Sequence, residues 1–109
     1  MRIKPTWIIL SLLLLLPTLV LAFNSEDLKK LKQTKSCVNC DLSGADLKGV
    51  NLVLGDLSGS SFKNANLEGA NLHEAKVDGA DFSGAILSGA SWIDGCQCEY
   101  DSIGECLKF

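Results

Sequence analysis

CDLSG-ADLKG-VNLVL-GDLSG-SSFKN-ANLEG-ANLHE-AKVDG-ADFSG-AILSG-ASWID, residues 40–94, divides without remainder into eleven blocks of five. The third position of every block is large and apolar: Leu42, Leu47, Leu52, Leu57, Phe62, Leu67, Leu72, Val77, Phe82, Leu87 and Trp92. The first position is mostly small, the second mostly Asp or Asn, and the fifth mostly Gly. A period of five fits neither the 3.6-residue turn of a helix nor the two-residue alternation of a strand, so neither element alone keeps these side chains on one face. Something must reset the phase in every block. A short extended segment followed by a corner does so: the third residue points inward, its neighbours point outward, and a fifth-position glycine takes the turn at positive φ. The small first residue also faces inward, at the corner, where a longer side chain would meet the wall. Repetition coils the chain into a solenoid whose rungs bury their apolar faces against one another.

Tandem A(D/N)LxG blocks resemble the pentapeptide-repeat family, and the resemblance covers residues 40–94. It implies an all-β fold, a right-handed quadrilateral β-helix with four blocks per coil and about three coils. Residues twenty apart would then stack, in the inner columns Leu42, Phe62, Phe82; Leu47, Leu67, Leu87; Leu52, Leu72, Trp92; and Leu57, Val77. At the spacing of neighbouring strands, roughly 4.8 Å, the rod is only about 13 Å tall. So short a solenoid has two open ends and a thin core, and it needs caps and staples.

The flanks supply candidates. Residues 1–22 read as a signal peptide: Arg2 and Lys4 give a basic start, Trp7 to Leu16 an apolar run, Pro17 a break, and Val20-Leu21-Ala22 a cleavage site that leaves Phe23 first. An uncleaved anchor is the alternative, although the run from Trp7 to Ala22 is shorter than the roughly 20 residues of a membrane span and is interrupted by Ser11, Pro17 and Thr18. A lipoprotein would carry cysteine where Phe23 stands. Residues 23–36 read as a capping helix and linker. Asn24 and Ser25 offer a cap, Glu26 and Asp27 follow in the first turn and lysines come later, which predicts a helix from Ser25 to about Gln33 with Leu28 and Leu31 laid over the open end. The solenoid is expected over 37–95. Beyond it the pattern fails, because Gln97 would occupy the next inward position, and residues 96–109 read as a Cys-rich tail folded over the other end.

The chain has a net charge of −3, and removal of Arg2 and Lys4 with the signal leaves 8 basic against 13 acidic residues, or −5. Such a surface does not seek nucleic acid through counterion release. All five cysteines, Cys37, Cys40, Cys96, Cys98 and Cys106, lie after the signal, in a short chain bound for an oxidising compartment, so disulfides are their first reading. Extending the phase backward puts Cys37 at an inward third position and Cys40 at an inward first position, facing one another across a corner. Metal and redox readings of this pair stand beside the disulfide. Haem attachment would need histidine at position 41, where Asp41 stands, and a four-cysteine zinc site would have to join groups at opposite ends of the rod. Cys106 is expected to pair with Cys96 or Cys98, which leaves one cysteine free or linked to another molecule.

No catalytic constellation emerges. His73 is the sole histidine and occupies an outward fourth position with no nucleophile beside it, and Asp41, Asp46, Asp56 and Asp81 fall on different faces or forty residues apart and read as solvated. The outward apolar residues Val53 and Ile93 share a face with His73 between them and Leu54 at the adjacent corner, a candidate contact patch for a protein partner. The expected function is therefore a non-enzymatic, cofactor-free scaffold or interaction module, exported to a bacterial periplasm, the medium or a thylakoid lumen. Neither nucleic acid nor stable membrane insertion after cleavage is expected, and an end-to-end or disulfide-linked dimer is open to it. Two other readings remain. The resemblance admits a DNA-mimicking inhibitor of topoisomerases, which the acidic surface favours and the signal and short rod oppose. A secreted thiol-redox protein would use Cys37 and Cys40.

Overall fold

The fold follows from how a five-residue block closes its hydrogen bonds. In the computed structural model, which describes residues 23–109, each first-position amide from Ala45 to Ala90 donates back to the third-position carbonyl of the block before, as Ala45 does to Leu42 at 3.1 Å and Ala70 to Leu67 at 3.0 Å. Each such bond closes a four-residue turn whose second central residue is the fifth of its block. That residue has positive φ, 73° at Gly44 and 70° at Gly59, as this turn geometry demands.

Most second-, third- and fifth-position amides bond between coils. Parallel bridges join residues twenty apart: Asp41 to Ser61 and on to Asp81, Asp46 to Asn66, Asn51 to Asn71, Asp56 to Lys76. Third-position amides donate to the following coil, Leu42 to the Ser61 carbonyl and Leu67 to the Ile86 carbonyl, both at 2.8 Å. Second-position amides donate to the preceding one, Ser61 to the Cys40 carbonyl and Asn71 to the Val50 carbonyl, both at 2.9 Å. All the pairings are isolated bridges and none lengthens into a strand. The β character expected from the sequence is thus expressed as single rungs, because a corner interrupts the chain before a second bridge can form beside the first.

The inward columns make the core. Leu42, Leu52, Leu57, Phe62, Leu67, Leu72 and Leu87 are fully buried, with Ala45, Ala65, Ala70, Ala85 and Ala90 at the corners between them. Phe62 and Phe82 stack in one column, ring centroids 4.9 Å apart and nearly parallel, and Trp92 meets Phe82 edge-on at 5.3 Å. Val77 is only half-buried, since the chain leaves the register before a residue can lie beyond it.

Helix α1, Ser25–Thr34, covers the first coil. The Asn24 side chain accepts from the Glu26 and Asp27 amides, and Lys35 ends the helix in the left-handed conformation. Leu31 is completely buried in the core and Leu28 packs against it. The Asp41 amide has no preceding coil to bond to and donates instead to the Asp27 carboxylate at 2.9 Å, while the Asp41 carbonyl accepts from Asn24 at 2.9 Å. Residues 37–39 already bond as the repeat does: the Cys37 and Asn39 amides donate to the Asp56 and Ser58 carbonyls at 2.8 Å. At the other end the tail doubles back antiparallel, with bridges Ser91 to Gln97 and Ile86 to Ile103. The Leu87 and Gly89 amides, left over by the last coil, donate to Ser102 and Cys98 carbonyls at 2.9 and 3.0 Å. The expected signal segment, residues 1–22, lies outside the described residues.

Candidate functional site

Two disulfides staple the two ends. Cys37 and Cys40 are bonded with Cα atoms 5.6 Å apart, both buried, at the third and first positions where the phase places them. Ser60, a buried serine at a position otherwise held mostly by alanine, locks this loop onto the next coil. Its hydroxyl donates to the Cys37 carbonyl at 2.5 Å and accepts from the Cys40 amide at 3.0 Å. Cys98 and Cys106 form the second bond, across an antiparallel turn closed by Leu107 donating to the Ser102 hydroxyl. Of the two partners open to Cys106, burial separates them: Cys98 faces the core and Cys96 is exposed and free.

The Asp27 carboxylate and the Cys37 and Cys40 sulfurs lie within 4.8 Å of one another. With the sulfurs joined and the carboxylate accepting from the Asp41 amide, no thiolate is on offer to a metal, and burial shields the S–S bond from an attacking thiol. Thiol chemistry at this corner would first require the coil to open.

The second-position acids lie at the surface and also bond to the backbone. Asp41, Asp46, Asn51, Asp56, Asn66, Asn71 and Asp81 each accept from the backbone amide two residues on, at 2.9 to 3.3 Å. They close local side-chain turns that fix the outward corner. In two blocks the fourth-position serine hydroxyl also donates, Ser58 to Asp56 and Ser83 to Asp81, both at 2.6 Å, whereas the Ser43 hydroxyl pairs with that of Ser61. These hydroxyl bonds, with the backbone amide second, hold both carboxyls below the ordinary aspartate pKa. Asp94 is lowered by its hydrogen bond from Lys108, whose own pKa rises in return. Lys48 is raised by Glu68, bonded at 3.0 Å on one side face.

The patch residues come together on the neighbouring face. The Leu54 amide donates to the His73 carbonyl at 3.0 Å and the Glu74 amide to the Ile93 carbonyl at 2.9 Å, so Val53, His73 and Ile93 stack on successive coils with Leu54 at the corner. Leu54 and His73 are exposed; Val53 and Ile93 are half-buried, Ile93 against the core. Leu54 stands out among its equivalents: it is 69 % exposed and carries φ 63°, a left-handed conformation unfavourable for leucine. A cleft of 510 Å³ went unseen in the sequence. It opens where the tail meets the rod, lined by Glu68, Gly69, Gly89, Gln97, Tyr100 and Phe109 among others. The twenty-residue stacking sets Gly69 beside Gly89, but only the reversal of the tail brings Gln97, Tyr100 and Phe109 to them, and no spacing announces that.

Among the described residues no helix is long and apolar enough to cross a membrane. A sequence-family model described as pentapeptide repeats matches residues 36–64 and 56–89, with eight copies. Several solved structures are similar, three of them as follows. A pentapeptide repeat protein from the thylakoid lumen of Arabidopsis thaliana is 25 % identical, with a TM-score of 0.52 over 65 % of this chain and 55 % of that one. HetL, a pentapeptide repeat protein involved in heterocyst differentiation regulation in the cyanobacterium Nostoc, is 25 % identical, with a TM-score of 0.28 over 57 % of this chain and 40 % of its own. Rfr23 from the cyanobacterium Cyanothece is 24 % identical, with a TM-score of 0.26 over 62 % and 67 %. This chain therefore spans about half the length of the lumenal protein. No curated protein sequence matches it.

Proposed function

We propose that this chain, which belongs to the pentapeptide-repeat family, is an exported, non-enzymatic scaffold that offers one side face to a protein partner. Its architecture on this reading is a right-handed quadrilateral β-helix of about three coils running through residue 95, with a helical cap over 23–36, a Cys-rich cap over 96–109 and a cleaved signal over 1–22. Export is supported by the signal pattern of residues 1–22, by four cysteines joined in disulfides, and by the lumenal origin of one similar structure.

The observation that carries the partner reading is Leu54. Most blocks place glycine at the fifth position, and Asn64 and Glu74 fill it with polar side chains. Leucine there costs backbone strain and leaves an apolar side chain in water, and it contributes nothing to the core. A partner that covers Leu54, His73 and the exposed parts of Val53 and Ile93 would recover that cost. The surface suits an apolar protein contact with a polar rim. Nothing in the geometry around His73 sets up acid–base or nucleophilic chemistry.

A photoactivatable side chain placed at position 54, in the protein expressed in its native host, tests the reading. A discrete adduct in the exported fraction, missing when the same group stands at Ser43 or Ser83 on another face, is the expected result. Equal labelling from both faces, or a full-length chain retained inside the cell, would sink it.

A further inference from the structure

The two caps differ in charge as well as in structure. Residues 23–36 carry Lys29, Lys30, Lys32 and Lys35 against Glu26 and Asp27, 4 minus 2, or +2. All four lysines are exposed, and Asp27 is turned inward to the Asp41 amide. Residues 96–109 carry Glu99, Asp101 and Glu105 against Lys108, 1 minus 3, or −2. Lys108 is taken up by Asp94, while among the described residues the three tail acids enter no ion pair. The same tail leaves Tyr100, Ile103, Leu107 and Phe109 open to solvent, at 90, 54, 39 and 93 % exposure. Four of the six large apolar residues most exposed among the described residues thus fall within these ten positions. Their side chains are not what closes the last coil, which is done by the tail's backbone and by Cys98 and Ser102.

We propose that the apolar, acidic face of the tail docks the lysine-bearing face of α1 on a second copy of this chain, so that the rods associate head to tail. The occupant follows from charge complementarity. A tail-to-tail contact would bury like charges opposite one another, whereas the helix of another copy brings three cations, with Lys35 just beyond its end, to three anions and the aliphatic stems of its lysines to Ile103 and Leu107. The contact is heterologous, because it joins two different surfaces. It leaves a free head and a free tail after each addition, and the product is an open chain of rods and not a closed dimer. This inference rests on reading the chain as an interaction module, but it uses the ends and leaves the side face at Leu54 free.

Sedimentation of the purified protein over a concentration series tests it, with Cys96 alkylated beforehand to remove disulfide-linked species. At about 0.01 M salt, where charges act over roughly 30 Å, the average mass is expected to climb past that of a dimer. At about 1 M, where the range falls to roughly 3 Å, it is expected to return towards the monomer. K29E/K30E makes both ends acidic and D101K/E105K makes both basic. Each variant alone is expected to associate at least about tenfold more weakly than the parent, and an equimolar mixture to recover association, which also shows that both variants are folded. A monomer at every concentration, a plateau at the dimer that K29E/K30E leaves unchanged, or a mixture no better than its components would overturn the proposal. None of these results touches the cross-linking test at position 54, so the two readings fail separately.

Discussion

At the scale of single residues, the departures from the repeat are more informative than its consensus. Gly55 stands at a first position where seven other blocks have alanine. A Cβ built there would lie 1.9 Å from the Lys35 carbonyl oxygen, the backbone atom with which α1 turns into the first coil. We therefore expect Gly55→Ala, a change towards the repeat consensus, to lower stability by about 1–3 kcal/mol through overpacking. Urea unfolding would measure it, and an unchanged midpoint would show that the helix junction can shift aside. Leu54→Gly should act oppositely. It relieves a left-handed leucine and is expected to raise stability by about 1 kcal/mol, while the partner no longer copurifies with the chain. Loss of stability there would mean that Leu54 packs on its own molecule.

At the scale of the block, the second-position acids tie stability to pH. The folded-state pKa of Asp56 lies below the ordinary 3.8 because the Ser58 hydroxyl and amide favour the charged form, and Asp81 is held the same way by Ser83. A depressed carboxyl contributes stability that is complete above its unfolded value and is lost as pH falls through the folded value. The contribution should accordingly fade below about pH 4. Asparagine fills the same role at Asn51, Asn66 and Asn71 with a neutral oxygen. D56N/D81N is thus expected to match the parent at pH 7 and to lose less stability between about pH 4 and pH 2. Parallel acid unfolding curves for the two proteins would refute this account of the turns.

At the scale of the whole molecule, stability depends on its ends. A rod of rungs gains its energy from neighbour contacts, so the terminal coils are its weakest parts, and a cap and a disulfide lie at each end. Replacing Cys98 and Cys106 together by alanine is expected to cost about 2–3 kcal/mol, the usual scale for a loop of this length. Amide exchange should localise the loss to Leu87, Gly89 and Trp92, whose amides the tail receives. A uniform loss along the rod would instead mean that the coils unfold as one unit.

The sequence by itself determined the five-residue phase, its inward and outward positions, the capping helix, and the inward placement of Cys37 and Cys40. Each of these is a local property: side-chain size and turn chemistry recur at a spacing that no helix or strand can carry, and the cysteines inherit their direction from that phase. It did not determine where the tail would lie. Residues 96–109 have no period, and their path is decided by the unpaired amides of the last coil, which exist only once the coils have stacked. That path chose Cys98 over Cys96 as the partner of Cys106, opened the cleft beside Tyr100 and Phe109, and left the tail's apolar residues exposed. The turn-closing role of the second-position acids also became visible only with the structure, because a carboxylate facing water and one accepting an amide two residues on have the same sequence and differ only in backbone angle.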